Sequence, residues 1–382
     1  VRDRRFLGLL GLNTLVWFAG YQVFAIVPLH LRGMGASLAG SGRFAAFLTL
    51  GTASGALLMG RLGDRVGQAR LLRTAGALLV AILASYAALG RPWLFLLLAP
   101  LHGLLWAGLK TSTMALATHL LPAEDRASGL SLFGLSGALG VALGPLAGLA
   151  ALPFLGFRVQ ILATAAAFLV VAAAPGLPRR LPSEQGSTEG PWPGRAILVP
   201  ALLVFAWGWG QGLLPPFSAQ EARFLRLAWA SALLTCFALG MLASRALFSA
   251  LGRGLKPARL LPWLMAGGLA ALGTLALAPG ALGRHMAGGA LFGASLGLSH
   301  TLLFAWAVDL GGPRRGEAVG LMYLAYEAGM GLSAALVGQA MDAAARAWGE
   351  GTGFRAGWAL GGLLILLALP LALVQARRAG GR

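Results

Sequence analysis

Acidic side chains are few: 12 Asp and Glu stand against 30 Lys and Arg in 382 residues, and charged residues of both signs make up 11% of the chain. A soluble protein of this length forms two or three domains and carries roughly a quarter of its residues charged. The shortage therefore argues against a water-soluble globular protein. Cysteine occurs once, at Cys236 within an apolar run, which excludes an intrachain disulfide and any cysteine-built metal site. No Gly-rich loop ends in Lys and Ser or Thr, so nothing in the sequence would cradle a nucleotide. The scattered Ser, His and Asp form no nucleophile motif and no metal-ligand spacing, which leaves a membrane hydrolase or acyltransferase unsupported. Neither a metal nor another cofactor is expected. A net charge of +18 invites nucleic acid as a partner. The arginines, however, sit in short clusters between apolar runs, not along a polar helix beside stacking aromatics, and that pattern excludes it.

What the chain has in quantity is apolar length. Hydrophobic residues make up 58% of it and Gly contributes 57 positions, with a mean hydropathy of +0.76. Crossing about 30 Å of hydrocarbon takes about 20 residues of helix, and Gly is tolerated there because it lets backbones approach. Apolar runs broken by charges and turn residues predict twelve spans, at 7–30, 38–60, 71–89, 93–118, 127–151, 157–175, 196–216, 226–248, 259–278, 284–308, 317–342 and 354–376. The first run is read as a retained helix and not a cleaved signal, because no small-residue cleavage site and soluble domain follow it. The expected fold is therefore all-α and integral to the membrane, with twelve transmembrane helices in two pseudo-symmetric six-helix bundles.

An even number of spans places both termini on one side. The even-numbered loops and the termini hold 20 of the 30 Lys and Arg, with Arg245 assigned to the loop after the eighth span. Positive residues collect on the cytoplasmic face, so both termini are expected in the cytoplasm. The stretch from Pro175 to Arg195, with Pro178, Pro182, Pro191 and Pro193, reads as a linker. The expected organisation is residues 1–178 as the first half, 179–194 as a cytoplasmic linker and 195–382 as the second half.

The halves resemble each other at an offset of about 190 residues. Gly103 falls on Gly293, Lys110 on His300 and His119 on Asp309; after one residue of adjustment Gly129 falls on Gly320 and Ser136 on Glu327. Ala69, Arg70, Leu71 and Leu72 pair with Ala258, Arg259, Leu260 and Leu261. Parallel repeats suit a carrier whose two halves move about a central site.

After the second span the chain reads Gly60, Arg61, Leu62, Gly63, Asp64, Arg65, Val66, Gly67, Gln68, Ala69, Arg70. The glycines permit tight turns, and a carboxylate at a helix end can hold arginines and unpaired backbone N–H groups. With twelve spans and a central linker, this loop resembles the signature loop of the major facilitator superfamily. The resemblance implies a conformational latch at Gly60, Asp64, Arg65, Gly67 and Arg70. Gln68 and Ala69 depart from the basic pair common there, and in the second half Arg253 occupies the Asp position, so the latch is expected in the first half alone. Gly140, Gly144, Pro145 and Gly148 in the fifth span give a smooth packing face and a bend. That pattern resembles the motif of the superfamily's drug/proton antiporter-like exporters, which implies efflux. Those exporters often carry Arg where this chain has Ala99, four residues before Gly103, and here His102 and Lys110 are the nearby groups able to carry charge.

An ionisable group inside the bilayer costs several kcal/mol unless paired or hydrated. Glu327, about 15 Å into the eleventh span by helical rise, is the first candidate for proton coupling, with hydrogen bonding across helices as the structural alternative. Lys110 and His300 are expected by the resemblance to border a central cavity, to bind an anionic cargo or reset Glu327; Lys110 alternatively snorkels to the cytoplasmic face. His102 is a further titratable candidate, with a satisfied hydrogen bond between helices as the structural alternative. Asn13, Tyr21, Gln22 and Gln211 offer hydrogen bonds. Trp17, Trp106, Trp207, Trp209 and Trp306 lie deep in the first, fourth, seventh and tenth spans, although Trp prefers the membrane interface. Facing a cavity they would form flat apolar platforms for a lipophilic or cationic molecule.

The function these features imply is secondary active export of amphiphilic or drug-like small molecules in exchange for protons, by alternating access. The alternatives are proton-coupled uptake or exchange of an organic anion, metabolite or sugar, lipid or lysolipid movement, and a membrane sensor without transport. The expected setting is the cytoplasmic membrane of a bacterium, where a monomer meets its small-molecule substrate and membrane lipids.

Overall fold

The computed structural model describes residues 3–121, 126–174, 194–251, 257–277, 281–311 and 315–380. Every long element among them is an α-helix. In chain order these are α1 (Arg4–Gly33), α2 (Leu38–Val66), α3 (Gln68–Ala88), α4 (Pro92–Leu120), α5 (Arg126–Ala173), α6 (Leu198–Gln211), α7 (Leu214–Phe224), α8 (Ala232–Leu251), α9 (Pro257–Leu277), α10 (Leu282–Gly311), α11 (Arg315–Trp348) and α12 (Glu350–Gly380). Among the described residues nine stretches are long and apolar enough to cross a membrane, and α2 makes a tenth. Helix α5 holds two spans and α8 carries a shorter apolar stretch, Ala232–Phe248, which completes twelve.

Local chemistry sets the breaks. Gly35, Gly67, Gly156 and Gly349 adopt positive φ, where a Cβ would clash with the backbone. Gly67, at φ 96° and ψ 129°, separates α2 from α3, and Gly156, at φ 69° and ψ 167°, divides α5 into two limbs. Pro92 opens α4, where its missing N–H removes no hydrogen bond.

The seventh span runs further than the sequence suggested. Helices α6 and α7 together cover Leu198–Phe224, 27 residues, instead of ending at 216. The added turn carries Gln220 and Glu221, which read as loop residues by polarity but are buried and bonded inside the helices.

The chain divides into two compact units, Val1–Gly35 with Phe47–Glu184, and Ala36–Ala46 with Gln185–Arg382. This differs from the expected halves in one segment, because the first turns of α2 belong with the second unit. The physical reason is a close seam. A Cβ on Gly42 would collide with the carbonyl oxygen of Ala334 and stand 2.9 Å from the Phe217 ring. Ala45 and Ala46 pack on Ala334, and Gln220 Nε2 donates to Ser41 Oγ at 3.0 Å. The expected linker, apart from Gly194, lies outside the described residues.

The internal repeat reappears as matching helix crossings. In the first unit α4 crosses α2 where a Cβ on Gly103 would strike the Leu48 carbonyl, and one on Gly51 the Pro100 carbonyl. In the second unit α10 crosses α8 in the same way, Gly293 against Phe237 and Gly240 against Ala290. Both contacts of one crossing recur in the other at an offset of 189 or 190 residues.

Candidate transport site

In the first unit, α1 and α4 meet across a small residue. Gly20 leaves the space that the Trp106 ring fills, and Trp106, 3% exposed, packs edge-on to Trp17 with centroids 5.5 Å apart and to Phe168 at 6.4 Å. Trp17 is half-buried and has Tyr21 at 6.0 Å. Lys110 follows Trp106 by one helical turn, which puts both on one face of α4. Its Nζ sits 5.8 Å from the Trp17 ring centroid, within the range where an ammonium gains from the π face. The side chain thus turns across the bundle toward α1.

The polar groups of α1 are held by neighbours. Gln22 Oε1 accepts from Gln160 Nε2 at 2.6 Å and from Thr164 Oγ1 at 3.0 Å, both on the second limb of α5. Asn13 Nδ2 donates to Ser136 Oγ at 2.9 Å. These bonds tie α1 to α5 in an apolar setting, where an unmatched amide would be costly. The antiporter-like glycines lie on the same seam. A Cβ on Gly140 or Gly144 would run into the carbonyls of Thr14 and Phe18, and one on Gly148 would come within 3.1 Å of Gln22 Cγ. Pro145 lies in the interior of α5 beside them.

His102 is 1% exposed and stacks 5.9 Å from Tyr86, whose ring in turn stacks on Phe95. That places it in the aromatic interior between α3 and α4. At the turn between α2 and α3, Asp64 Oδ1 accepts from Gln68 Nε2 at 2.9 Å across Gly67. The departure from the usual basic pair thus supplies an amide that holds the carboxylate. Gly60, Arg65 and Arg70 flank this turn, the two arginines exposed.

In the second unit the centre of interest lies on α8, α10 and α11. His300 stacks on Phe304 at 4.0 Å, meets Tyr326 edge-on at 5.4 Å and has Tyr323 at 6.3 Å. Arg245 Nε donates to the Gly297 carbonyl at 3.2 Å and stands within electrostatic reach of His300, Tyr323 and Tyr326. Its expected place in a cytoplasmic loop is thereby corrected: a half-buried arginine inside α8 reaches α10. Tyr326 OH donates to Gln211 Oε1 on α6, and the adjacent Glu327, 8% exposed, is within electrostatic reach of Tyr323.

The tryptophans of this unit separate. Trp207 is fully buried, edge-on to Phe292 at 5.7 Å, and a Cβ on Gly268 would stand 2.7 Å from its ring. It fills the interior between α6, α9 and α10, which corrects its reading as a cavity platform. Trp209 is half-buried and donates Nε1 to the Leu360 carbonyl on α12 at 2.9 Å, and Trp306 is half-buried on α10. Asp309 and His119 are exposed near the ends of α10 and α4.

Sequence reasoning missed Arg245, Tyr323, Tyr326, Glu221 and His285. Arg245 lies inside the run 226–248, Tyr323 precedes Glu327 by one helical turn and Tyr326 is its neighbour in sequence, so those signals were present. The burial of Glu221 and His285 depends on where helices end, which composition does not fix. Among the described residues no group of three His, Cys, Asp or Glu is placed to hold a metal ion.

A search of curated proteins returned no match. Solved structures with the same fold include a bacterial homologue of the human lysosomal transporter Spinster in an inward-facing, occupied conformation, 15% identical, with a TM-score of 0.79 over 98% of this chain and 97% of that one. Its inward-facing, unoccupied form is also 15% identical, with a TM-score of 0.76 over 97% and 96%. The nucleoside transporter NupG, in a mutant form, is 11% identical, with a TM-score of 0.80 over 97% and 99%. The family model of the Major Facilitator Superfamily matches residues 8–334. A multi-pass helical chain matched over most of its length by that model belongs to the Major Facilitator Superfamily.

Proposed function

We propose that the protein is a secondary active exporter of amphiphilic small molecules, exchanging them for protons by alternating access, with Glu327 as the proton carrier. One observation carries the reading. Each unit holds a basic side chain against aromatic rings inside the helices, Lys110 over Trp17 in the first and Arg245 beside His300 and the two tyrosines in the second. Rings accept a lipophilic body by area and dispersion, while a charged or hydrogen-bonding group orients the polar end. Glu327, beside the Tyr326–Gln211 bond, is a mostly buried carboxylate in that same cluster. Export is favoured by the Gly140, Gly144, Pro145 and Gly148 pattern. The setting is a bacterial cytoplasmic membrane, with both termini cytoplasmic and the monomer as the working unit.

A second reading of the cargo follows from Arg245. Basic side chains facing aromatics suit an amphiphile with an acidic head better than a lipophilic cation, since like charges repel in a weakly screened interior. The structural relatives are described as a bacterial homologue of a human lysosomal transporter and a nucleoside transporter, and a shared fold does not choose the cargo.

The test is proton release from the purified protein on adding lipophilic cations, neutral drugs or acidic amphiphiles, comparing the parent with Glu327→Gln. Release that one class triggers and the variant abolishes supports the exchange and identifies the head-group charge. Release unchanged in the variant overturns the role of Glu327.

A further inference from the structure

The second unit buries another acid–base pair, remote from Glu327. Glu221 near the end of α7 is 1% exposed and His285 in the first turn of α10 is 3% exposed. His285 Nε2 lies 3.1 Å from Glu221 Oε2, and Trp358 Nε1 on α12 donates to the same oxygen at 2.8 Å. Trp358 is itself 1% exposed, so the indole closes the site from the α12 side. His285 precedes His300 by 15 positions on α10, about 22 Å of helical rise, which separates the pair from the His300 and Glu327 cluster.

The geometry points to a second proton-binding site formed by Glu221 and His285. A hydrogen bond between a carboxylate oxygen and an imidazole nitrogen holds one proton on the line between them, whichever atom carries it. With that proton alone the pair carries one negative charge; a second proton, on His285 Nδ1, makes it neutral overall, the state an apolar interior favours. Two further positions are open: Glu221 Oε1 and His285 Nδ1 are both buried without a hydrogen-bond partner. Polar atoms so placed are unusual in a settled structural pair, where the remaining lone pairs and protons are satisfied. They are the atoms that accept a second proton or expose the loss of the first.

The surrounding charges leave the pair to itself. On the helices that carry or adjoin it, Arg223 of α7, Arg284 of α10, Arg346 of α11 and Arg355 of α12 are exposed and Glu350 of α12 is half-buried, and Asp342 of α11 is buried; the bonds of Glu221 and His285 go to each other and to Trp358. The site adjoins a mechanical seam of the same unit. The residue before Glu221 is Gln220, which bonds Ser41 at the head of α2, and α7 begins at a break after Gln211 with Pro215 and Pro216 in its first turn. A change of charge on the pair acts directly on the short helix that holds that seam.

The test uses the full chain in lipid discs without cargo, so its outcome is independent of the exchange proposed above. Infrared difference spectra on stepping the pH are recorded for the parent, Glu221→Gln, His285→Gln and Glu327→Gln. A carboxyl or imidazole titration step that shifts in D2O, survives Glu327→Gln and disappears in both Glu221→Gln and His285→Gln supports the site. The His285→Gln amide can still donate to Glu221, so a folded protein is expected there, checked by its thermal unfolding curve. Spectra of the folded His285→Gln and Glu221→Gln proteins that titrate like the parent overturn it. If the step is lost only in Glu327→Gln, the proton belongs to Glu327 and the pair is purely structural.

Discussion

A lysine resting over an indole and an arginine bonded to a backbone carbonyl differ in what they leave for a ligand. Lys110 keeps a compact charge that can pivot on its stem, whereas Arg245 uses Nε on Gly297 and retains the planar outer nitrogens for a bidentate grip. If an acidic head binds here, Arg245→Gln removes the stronger contact. Hydrogen bonds to charged groups contribute about 1.5–3 kcal/mol, so affinity for an acidic amphiphile is expected to fall roughly tenfold or more, with affinity for a neutral analogue changed little. Quenching of the intrinsic tryptophan fluorescence measures both. Lys110→Gln is expected to act in the same direction with a smaller effect, and equal losses for charged and neutral ligands would show that Arg245 supports the fold and not the head group. These residues also mark what a sequence conveys at this scale. Lys110 and Glu327 stood out because each interrupts a long apolar run. Arg245 and Glu221 lie near the ends of runs, where a loop anchor and a buried charge look alike until the helix boundary and its neighbours are known. The tryptophans show the converse, since depth within a span says nothing about which way a ring faces, and Trp207 faces the interior.

At the scale of helices, small residues decide where backbones touch. Gly103 and Gly293 carry no side chain because a carbonyl of the neighbouring helix occupies the place of a Cβ. Gly103→Ala and Gly293→Ala must push α4 off α2 and α10 off α8, and overpacking of this kind costs about 1–3 kcal/mol. Gly8 is the control: a Cβ there would meet nothing within 4 Å, so Gly8→Ala should stabilise the exposed helix slightly or leave it unchanged. Thermal unfolding in detergent, followed by Trp358 and the other indoles, distinguishes the three, and equal midpoints would refute the crossing argument. The repeat that aligns these two glycines was legible from the sequence, and so were the helix count and the break at Gly156. The extension of the seventh span was not. Gln220 and Glu221 are polar by composition, and their place inside depends on partners far along the chain, Ser41 for the first and His285 and Trp358 for the second.

Across the whole molecule, duplication and divergence coexist. The crossings of α2 with α4 and of α8 with α10 match contact for contact, yet the seam between the first and fifth spans and that between the seventh and eleventh are built differently. In the first unit the glycines that admit the partner backbone lie on α5, Gly140 and Gly144 against Thr14 and Phe18; in the second, α6 and the residue after it contribute Gly208 and Gly212 against Tyr326 and Met330, with Gly329 of α11 against Phe205. The proline of the antiporter-like motif has Leu336, which is exposed, at its repeat position. Candidate functional groups are thus distributed unequally over a repeated frame, with the Asp64 turn in one unit and the Glu327 and Glu221 carboxylates in the other. The frame itself makes one global prediction. Twelve spans and the concentration of arginine in even-numbered loops predict termini on the cytoplasmic side. Cys236, the lone cysteine, is 8% exposed and gives little background to a water-soluble thiol reagent. Gly90→Cys, between α3 and α4, is therefore expected to react in intact cells, and Arg377→Cys, in the last turn of α12, only after the membrane is opened. Reaction of Arg377→Cys in intact cells with protection of Gly90→Cys would invert the topology. Reaction of both from one side would mean that an even number of spans separates the two positions, where the twelve-span arrangement requires an odd one.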